Sequence, residues 1–526
     1  MDLATVTESS DRTVIFRDDD WLVLDKPCGI STHAADAGDL GLSEWWSLHH
    51  NETLHVISRL DKATSGVLVF ALNAEASAKA QAIHEKELAG KRYLFVSDGP
   101  PPKGQWQCND PLDDQAATTN FRVLRSAGRL SIIEATIARG RKHQIRRHAL
   151  ASGVPVFGDE LYDGAEFPRL CLHCAQVSWP GYEESWDSPV PESFNALLDG
   201  VSDLLIDTAV AAERRGTLLD PITDATRLVH RAEILGGDFA IDRYGQWLLV
   251  TGFDERGSVA SLAEHVRPIL ENISKRLSIR GALLRTNQRD PHRRKLIAES
   301  TVWGEAPPEQ SQVLEHGIPF EIRLDAARHP GLFTDQRDNR RRLSKVASGL
   351  RVANLFAFTG AFSSVAVACG AEVAVSVDLA AGCLATAKRN FAAAGLAEGG
   401  RGKFITEDVR DWIGRQQRKR QREGEQYAGW DWIVCDPPVF ASAGKGRNFS
   451  VEEDWARLAS EVRHILNPTG TALFSNNHRG GHGLGYLREL QSCFGKVVRL
   501  RPPLDFPVLP DEPEHVRMFL CSEPRH

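Results

Sequence analysis

The sequence predicts a multidomain protein, α/β and α+β in class, whose last part is a doubly wound parallel sheet. Three observations predict it. A chain of 526 residues is too long for one ordinary core and divides into several domains. From Val352 onward strand-like and helix-like segments alternate, the order that covers a parallel sheet on both faces. Ahead of that alternation the pattern is mixed: Phe239–Val250 reads as two strands around a turn, and Leu262–Leu283 has helix-like periodicity.

The elements follow in order. Ser58-Arg59-Leu60-Asp61-Lys62-Ala63-Thr64-Ser65-Gly66 leads from Val56-Ile57 into Val67–Phe70, a β-branched run that reads as a buried strand. The first domain, 1–192, ends near the Pro-containing Trp186–Pro191. Phe194, Leu197, Leu198, Val201, Leu204 and Leu205 fall at helical spacing, and Gly216–Asp224 with Pro221 reads as a connection, so 193–224 is a helical linker. A small α/β middle domain takes 225–327, with a further strand at Ile318–Ile322; Glu315-His316 before it reads as a solvated turn. The last domain, 328–526, has strands over Val352–Phe356, Glu372–Val377, Trp430–Cys435 and Thr471–Ser475, with helices over Ala361–Cys369 and Ala380–Ala394.

Composition narrows the class. With 42% apolar and 25% charged residues the chain is that of a soluble globular protein. Nine Cys without a dense framework point to a reducing compartment, hence the cytoplasm, and the lone Cys171-Leu172-His173-Cys174 lacks a second pair, so no metal site is expected. The polar start, Met1–Asp20, has no apolar core of a secretory signal. Val352–Ala371 is uncharged, but Asn354, Thr359-Gly360 and Ser363-Ser364 interrupt it, so no membrane partner is expected. A net charge of −7 opposes general polyanion affinity. Basic runs at Arg139–Arg147, Arg289–Lys295, Arg337–Arg342 and Arg415–Arg422 predict local basic grooves on an otherwise acidic surface.

Arg59 and Asp61 lie between apolar segments, where an unpaired carboxylate is costly. Further on stand Lys91-Arg92-Tyr93, then Gly140-Arg141-Lys142-His143-Gln144-Ile145-Arg146, then Gly153-Val154-Pro155, Gly158-Asp159 and Tyr162. In this order they resemble the motifs of the RluA family of pseudouridine synthases, over about residues 14–190. The resemblance implies that family's mixed-sheet fold and the cofactor-free conversion of uridine to pseudouridine in a nucleotide flipped out of its stack. It makes Asp61 the group that starts the reaction, by adding to the sugar or by removing a ribose proton. Arg59 fills the vacated place, Tyr93 stacks on the base, and Arg146 holds Asp61 ionised and aimed. Ser58 stands where that family has His, a departure expected to alter fine contacts.

A second centre gathers at the carboxyl ends of the later strands, where doubly wound sheets bind ligands. Phe358-Thr359-Gly360 follows the first strand, Asp378 ends the second in place to accept ribose hydroxyls, and Asp408 is placed to accept an adenine amine. Asp436-Pro437-Pro438-Val439-Phe440 ends another strand; its prolines remove two backbone donors, leaving carbonyls free for a planar base on which Phe440 can stack. With Gly331–Arg340, these motifs resemble the RlmI/RlmK group of large-subunit ribosomal RNA methyltransferases, over about 225–526. That resemblance implies a Rossmann-like class I domain using S-adenosylmethionine, with Asp335 and Arg337 also at the cofactor and Asp436 catalytic. The carbon-methylating branch carries a Cys where this chain has Asn476-Asn477. A ring carbon needs that nucleophile and a ring nitrogen does not, so guanine N7 is the expected acceptor and Asn476 and Asn477 join Pro437, Pro438 and Phe440 at the substrate. Methylation of cytosine carbon 5 or of an exocyclic amine, and a ribosome-assembly factor with one decayed catalytic half, are the alternatives. The expected partner is RNA, large-subunit ribosomal RNA first.

Overall fold

The computed structural model describes residues 14–34, 40–86, 88–165, 167, 169–199, 223–231, 239–253, 258–289, 296–326, 329–396, 400–442, 448–478, 483–503, 505–506 and 516–525. Most of the expected linker, 200–222, and all but Arg289 of the basic run Arg289–Lys295 lie outside them.

The first unit is built on a ten-stranded mixed sheet. Its long path runs Val14–Arg17, Trp21–Lys26, Ser65–Ala71, Leu172–Ser178, Gly90–Ser97, Leu130–Ile137, Thr119–Ala127, Gln105–Cys108. Ser65–Ala71 is buried at every position, as an apolar run covered on both faces must be. Its partner Leu172–Ser178 runs parallel to it. Gly66 permits that pairing: its φ is +111°, and a Cβ there would lie 2.1 Å from the Cys174 carbonyl oxygen. Helices α1 (Leu42–His50), α2 (Ala74–Glu85) and α3 (Gln144–Ala151) flank the sheet. Helix α4 (Glu192–Asp199) opens the segment expected as linker, yet Phe194 and Leu198 bury against Val96, Ile132 and Cys171. Its apolar stripe faces this sheet, so the first unit extends at least to Asp199.

The middle unit has five strands, Ala225–Val229, Phe239–Tyr244, Trp247–Gly252, Gly281–Arg289 and Leu296–Gly304, backed by α5 (Val259–Leu277). The helix-like stretch expected to reach Leu283 stops earlier. Ser278 turns left-handed (φ 52°), and Leu283 and Leu284 join the strand parallel to Trp247–Gly252. The expected solvated turn at Glu315-His316 is also corrected. Glu315 is fully buried and accepts from Arg340 Nε and one NH2 nitrogen at 2.5 and 2.7 Å. A carboxylate in the interior requires such a partner.

The last unit is a seven-stranded sheet in the order Gly402–Thr406, Val373–Asp378, Arg351–Leu355, Trp430–Cys435, Leu466–Asn476, Arg517–Pro524, Phe494–Leu500. The first five are parallel and Arg517–Pro524 runs antiparallel to its neighbours. Helices α6 (Arg337–Val346), α7 (Ala361–Ala368), α8 (Ala381–Ala393), α9 (Val409–Glu423), α10 (Val451–Arg463) and α11 (Gly483–Cys493) accompany the sheet. The strand order reverses between Arg351–Leu355 and Trp430–Cys435, which opens a crevice at their carboxyl ends. Cleavage between Gly216 and Thr223 is expected to give two pieces that each melt cooperatively, because each side owns a buried core. Far-ultraviolet dichroism of the separated pieces checks it; a piece without a cooperative melt refutes independent folding.

Candidate active sites

The first site is a cleft of about 910 Å³ whose lining includes Ser58, Arg59, Asp61, Tyr93, His143 and Arg146. The loop carrying Asp61 is fixed from behind. Thr32 Oγ1 donates to the Leu60 carbonyl and accepts from the Leu60 N–H, both at 3.1 Å. The buried Lys26 ammonium donates to the carbonyls of Pro27, Ile30 and Lys62, and burial pushes it down to about 7.

Asp61 reaches into the cleft with its side chain 37% exposed, its Oδ2 3.6 Å from Arg146 NH1 and 3.7 Å from His143 Nε2. Arg146 is itself clamped by Asp159 through two bonds of 2.6 Å. Asp159 is almost wholly buried and also accepts the N–H groups of Leu161 and Tyr162. The clamp leaves one guanidinium nitrogen for Asp61, a fork geometry that Lys cannot supply. Tyr93 is buried, and desolvation holds its phenol well above the ordinary range, so it stays protonated. Arg59 is exposed at the cleft and Ser58 is half-buried there. Lys91, Arg139, Arg141 and Lys142 add cations against only Asp61 and Glu85 in the lining, a local field that suits phosphates. His143, Asp159 and Tyr162 received no role from the sequence. Their signal was the polar Gly140–Arg146 run and Gly158-Asp159 close after it. His143 sits in the left-handed region (φ 53°) and its Nδ1 lies 2.9 Å from the Tyr162 hydroxyl; burial lowers its pKa, with Asp61 opposing.

The second site lies at the crevice of the last sheet. Asp378 closes its strand, with Oδ2 accepting from Phe358 N–H and Oδ1 from Ala380 N–H, each at 2.8 Å. That bond locks the Ala357–Gly360 turn. Phe356 (φ 56°) and Phe358 (φ 49°) are held left-handed there, a strain that bulky residues accept only where the surroundings dictate it. Thr359 Oγ1 donates to the Gly331 carbonyl at 2.6 Å and its own carbonyl accepts from Asn390 Nδ2 at 3.0 Å. Asp408 caps α9 through the Arg410 N–H and pairs with the Arg410 guanidinium at 3.0 Å.

Asp436 follows Trp430–Cys435 and accepts the Ser475 hydroxyl proton at Oδ1, 2.6 Å away. Ser475 accepts from Gln336 Nε2 at 3.1 Å, and Gln336 Oε1 from Asn339 Nδ2 at 2.8 Å. Burial raises the pKa of Asp436, with Ser475 opposing. Burial and then the Asp436 charge push the Asp335 carboxyl up to about 7. Asp335 Oδ1 and Asn476 Nδ2 are sealed from solvent without a hydrogen-bond partner among the described residues, as groups awaiting a polar ligand are. Carboxyls at Asp335, Asp378, Asp408 and Asp436 fit a cofactor that carries a sulfonium, an ammonium, a ribose and an adenine.

Three expected members stand differently. Arg337 is held by Asp505, at 2.9 and 2.5 Å, with Asp338 Oδ1 3.9 Å from its Nε, so it braces the fold. A buried guanidinium needs carboxylates of this kind to neutralise it. Phe440 is 61% exposed on a small hairpin and stacks on no other ring among the described residues. Asn477 is exposed beside the buried Asn476. Pro437 is buried and Pro438 exposed. Gln336, Asn339 and Ser475 were missed by sequence reasoning. The signal for the first two was Thr334–Arg340, seven polar residues in a row, five of them nearly inaccessible besides Thr334.

Comparison with known proteins finds a family model for each of the two units that carry these sites. The family model for RNA pseudouridylate synthase matches residues 20–151, and that for S-adenosylmethionine-dependent methyltransferase matches 241–512. Ribosomal RNA large subunit methyltransferase K/L of Alteromonas mediterranea is 28% identical over 262 residues, 48% of this chain and 34% of that protein. Its namesake from Hahella chejuensis is 31% identical over 243 residues, 46% of this chain and 32% of that protein. The chain therefore spans about a third of the length of these relatives. A putative S-adenosylmethionine-dependent methyltransferase from Streptococcus mutans superposes with a TM-score of 0.50 at 25% identity, over 61% of this chain and 81% of that one. The second family model covers more than half of the chain, from the middle unit into the last unit as far as residue 512. The chain thus belongs to the S-adenosylmethionine-dependent methyltransferases, uses that cofactor, and carries an RNA pseudouridylate synthase unit ahead of its methyltransferase unit.

Proposed function

We propose that the chain is a bifunctional RNA-modifying enzyme acting on large-subunit ribosomal RNA: it converts uridine to pseudouridine and methylates guanine at N7. One observation carries the reading. Asp61 and Asp436 stand in separate clefts of one chain, each carboxylate held by a donor network of its own. The names of the relatives supply the class of RNA, and such an enzyme works in the cytoplasm. Among the described residues no helix is long and apolar enough to cross a membrane.

In the first cleft a flipped uridine lies between Tyr93 and Asp61, with Arg59 in the vacated place. The N1–C1′ bond breaks, the base turns, C5–C1′ forms, C5 loses its proton and N1 gains one. The isomerisation balances without a co-reactant. Asp61 acts on the ribose, and Arg146 holds it in place while Asp159 keeps Arg146 from swinging away.

In the second site the cofactor supplies an electrophilic methyl group. Asp378 and Asp408 are placed for its ribose and adenine. Ser475 holds one Asp436 oxygen, so the other is aimed at the edge of the base. Guanine N7 already carries a lone pair, and orientation with charge complementarity suffices. The lack of a usable thiol supports nitrogen over carbon. Cys435 is fully buried in the core, and desolvation holds its thiol well above the ordinary range.

RNA containing 5-fluorocytidine is therefore expected to give no cofactor-dependent shifted band on a denaturing gel. Unmodified RNA should yield 7-methylguanosine on digestion. A shifted band would return Cys435 as nucleophile; a product methylated on an exocyclic amine would keep nitrogen chemistry and overturn the ring position.

A further inference from the structure

Helix α6 has two working faces. One carries Asn339, which with Gln336 just ahead of the helix holds Ser475 and through it Asp436. The other grips the synthase unit. Arg341 donates to the carbonyls of Leu48 (3.4 Å) and His49, and Lys345 to that of Ser47. These carbonyls end α1, where Asn51 (φ 56°) breaks the helix. The Ser47 carbonyl also accepts from the Asn51 N–H at 3.2 Å; the last carbonyls of a helix carry its partial negative charge, so two cations complete the end.

His49 seals the joint. Its side chain is 6% exposed, with Nε2 3.9 Å from Asp338 Oδ1 and the ring centre 6.0 Å from that of His316. Its Nδ1–H donates to the Trp45 carbonyl at 2.8 Å, which fixes the ring. At its other end α1 is tied to the first cleft. Leu42 and Ser43 N–H donate to the carbonyls of Ser31 and Thr32, and Thr32 clamps Leu60 beside Asp61.

We propose that the synthase unit is a positioning element of the methyl-transfer site. Arg341 and Lys345, anchored on the end of α1, set the position of α6 and thereby the aim of Asp436. The inference rests on the reading of Asp436 as the group at the methyl acceptor. Arg341 and Lys345 touch neither cofactor nor base; they act through Gln336, Asn339 and Ser475.

The test uses the full chain with Arg341→Ala and Lys345→Ala together, with Arg341→Lys as the conservative variant and His49→Ala as the break from the other side. Deuterium exchange read by mass spectrometry reports protection without RNA, and single-turnover methyl transfer reports the chemistry. The double variant is expected to exchange faster over 337–346 and over 471–476, while 373–378 keeps its protection. Its single-turnover rate falls about tenfold or more, cofactor affinity stays within about twofold because the cofactor carboxyls are untouched, and tritium release by the synthase site is unchanged. Arg341→Lys restores most of the rate, and His49→Ala gives the same pattern more weakly. Faster exchange confined to α1 and α6, with 471–476 and the rate unchanged, overturns the proposal. If the wild-type chain transfers no methyl to RNA, the substrate reading fails, and exchange at 471–476 still decides whether α1 positions that strand. Should the double variant not fold, His49→Ala carries the same decision.

Discussion

Asp61→Asn is expected to abolish uridine isomerisation, lowering the rate by about a thousandfold or more, while methyl transfer continues at the wild-type rate. The substitution keeps size and shape and removes only the charge. Arg146 does not depend on Asp61 for its place, since Asp159 holds it through two 2.6 Å bonds. The cleft therefore keeps its form and loses the one carboxylate that the matched motif aims into it. Stability should move by no more than about 0.5 kcal/mol, because Asp61 is partly solvated and screened. Tritium release from RNA labelled at uridine carbon 5 measures the loss. Undiminished release would move the chemistry to another group and reduce Asp61 to a structural ion pair.

Elements were legible wherever periodicity was strong and local. Trp430–Cys435 and Ala361–Cys369 appear almost as read, since each is a mostly apolar run closed by a Pro pair or a Gly turn. Motif order led to Asp61 and Tyr93, which line one cleft, and to Asp378 and Asp436, which stand at strand ends. What failed depended on distant partners. Nothing near Glu315 announces that Arg340 will bury it, and nothing near Arg337 announces Asp505. The stretch 193–199 read as linker because amphipathic spacing says that one face is covered, not by what; the cover is Val96, Ile132 and Cys171. The relay from Asn339 to Asp436 joins residues 97 positions apart, and local pattern cannot pair them.

Asp335→Asn is expected to stabilise the cofactor-free protein at pH 8 while removing most of its cofactor affinity. The carboxyl is held at about 7 in the folded chain against an ordinary 3.8. Between those values the unfolded chain has released the proton that the folded chain retains, so stability falls as pH rises from 3.8 to about 7 and is level above. The full cost is about 2 to 4 kcal/mol, the lower figure allowing for the partial exposure of the residue around its sealed Oδ1. Asn removes that cost, so the melting temperature should rise by several degrees at pH 8 and hardly at pH 4. Binding responds in the opposite sense. A cationic cofactor selects the ionised carboxylate, so wild-type affinity should climb as pH passes through 7 and level off beyond it. The Asn variant should bind about ten- to a hundredfold more weakly at pH 8, the loss of one hydrogen bond to a charged group, and its affinity should no longer climb through that window. Calorimetry of both proteins at pH 6 and pH 8 decides the matter. If the variant binds as tightly as the wild type, Asp335 faces the base instead, and the unpartnered Oδ1 belongs to substrate recognition; if the melting gain is the same at both ends of the pH range, the carboxyl is not held protonated at all.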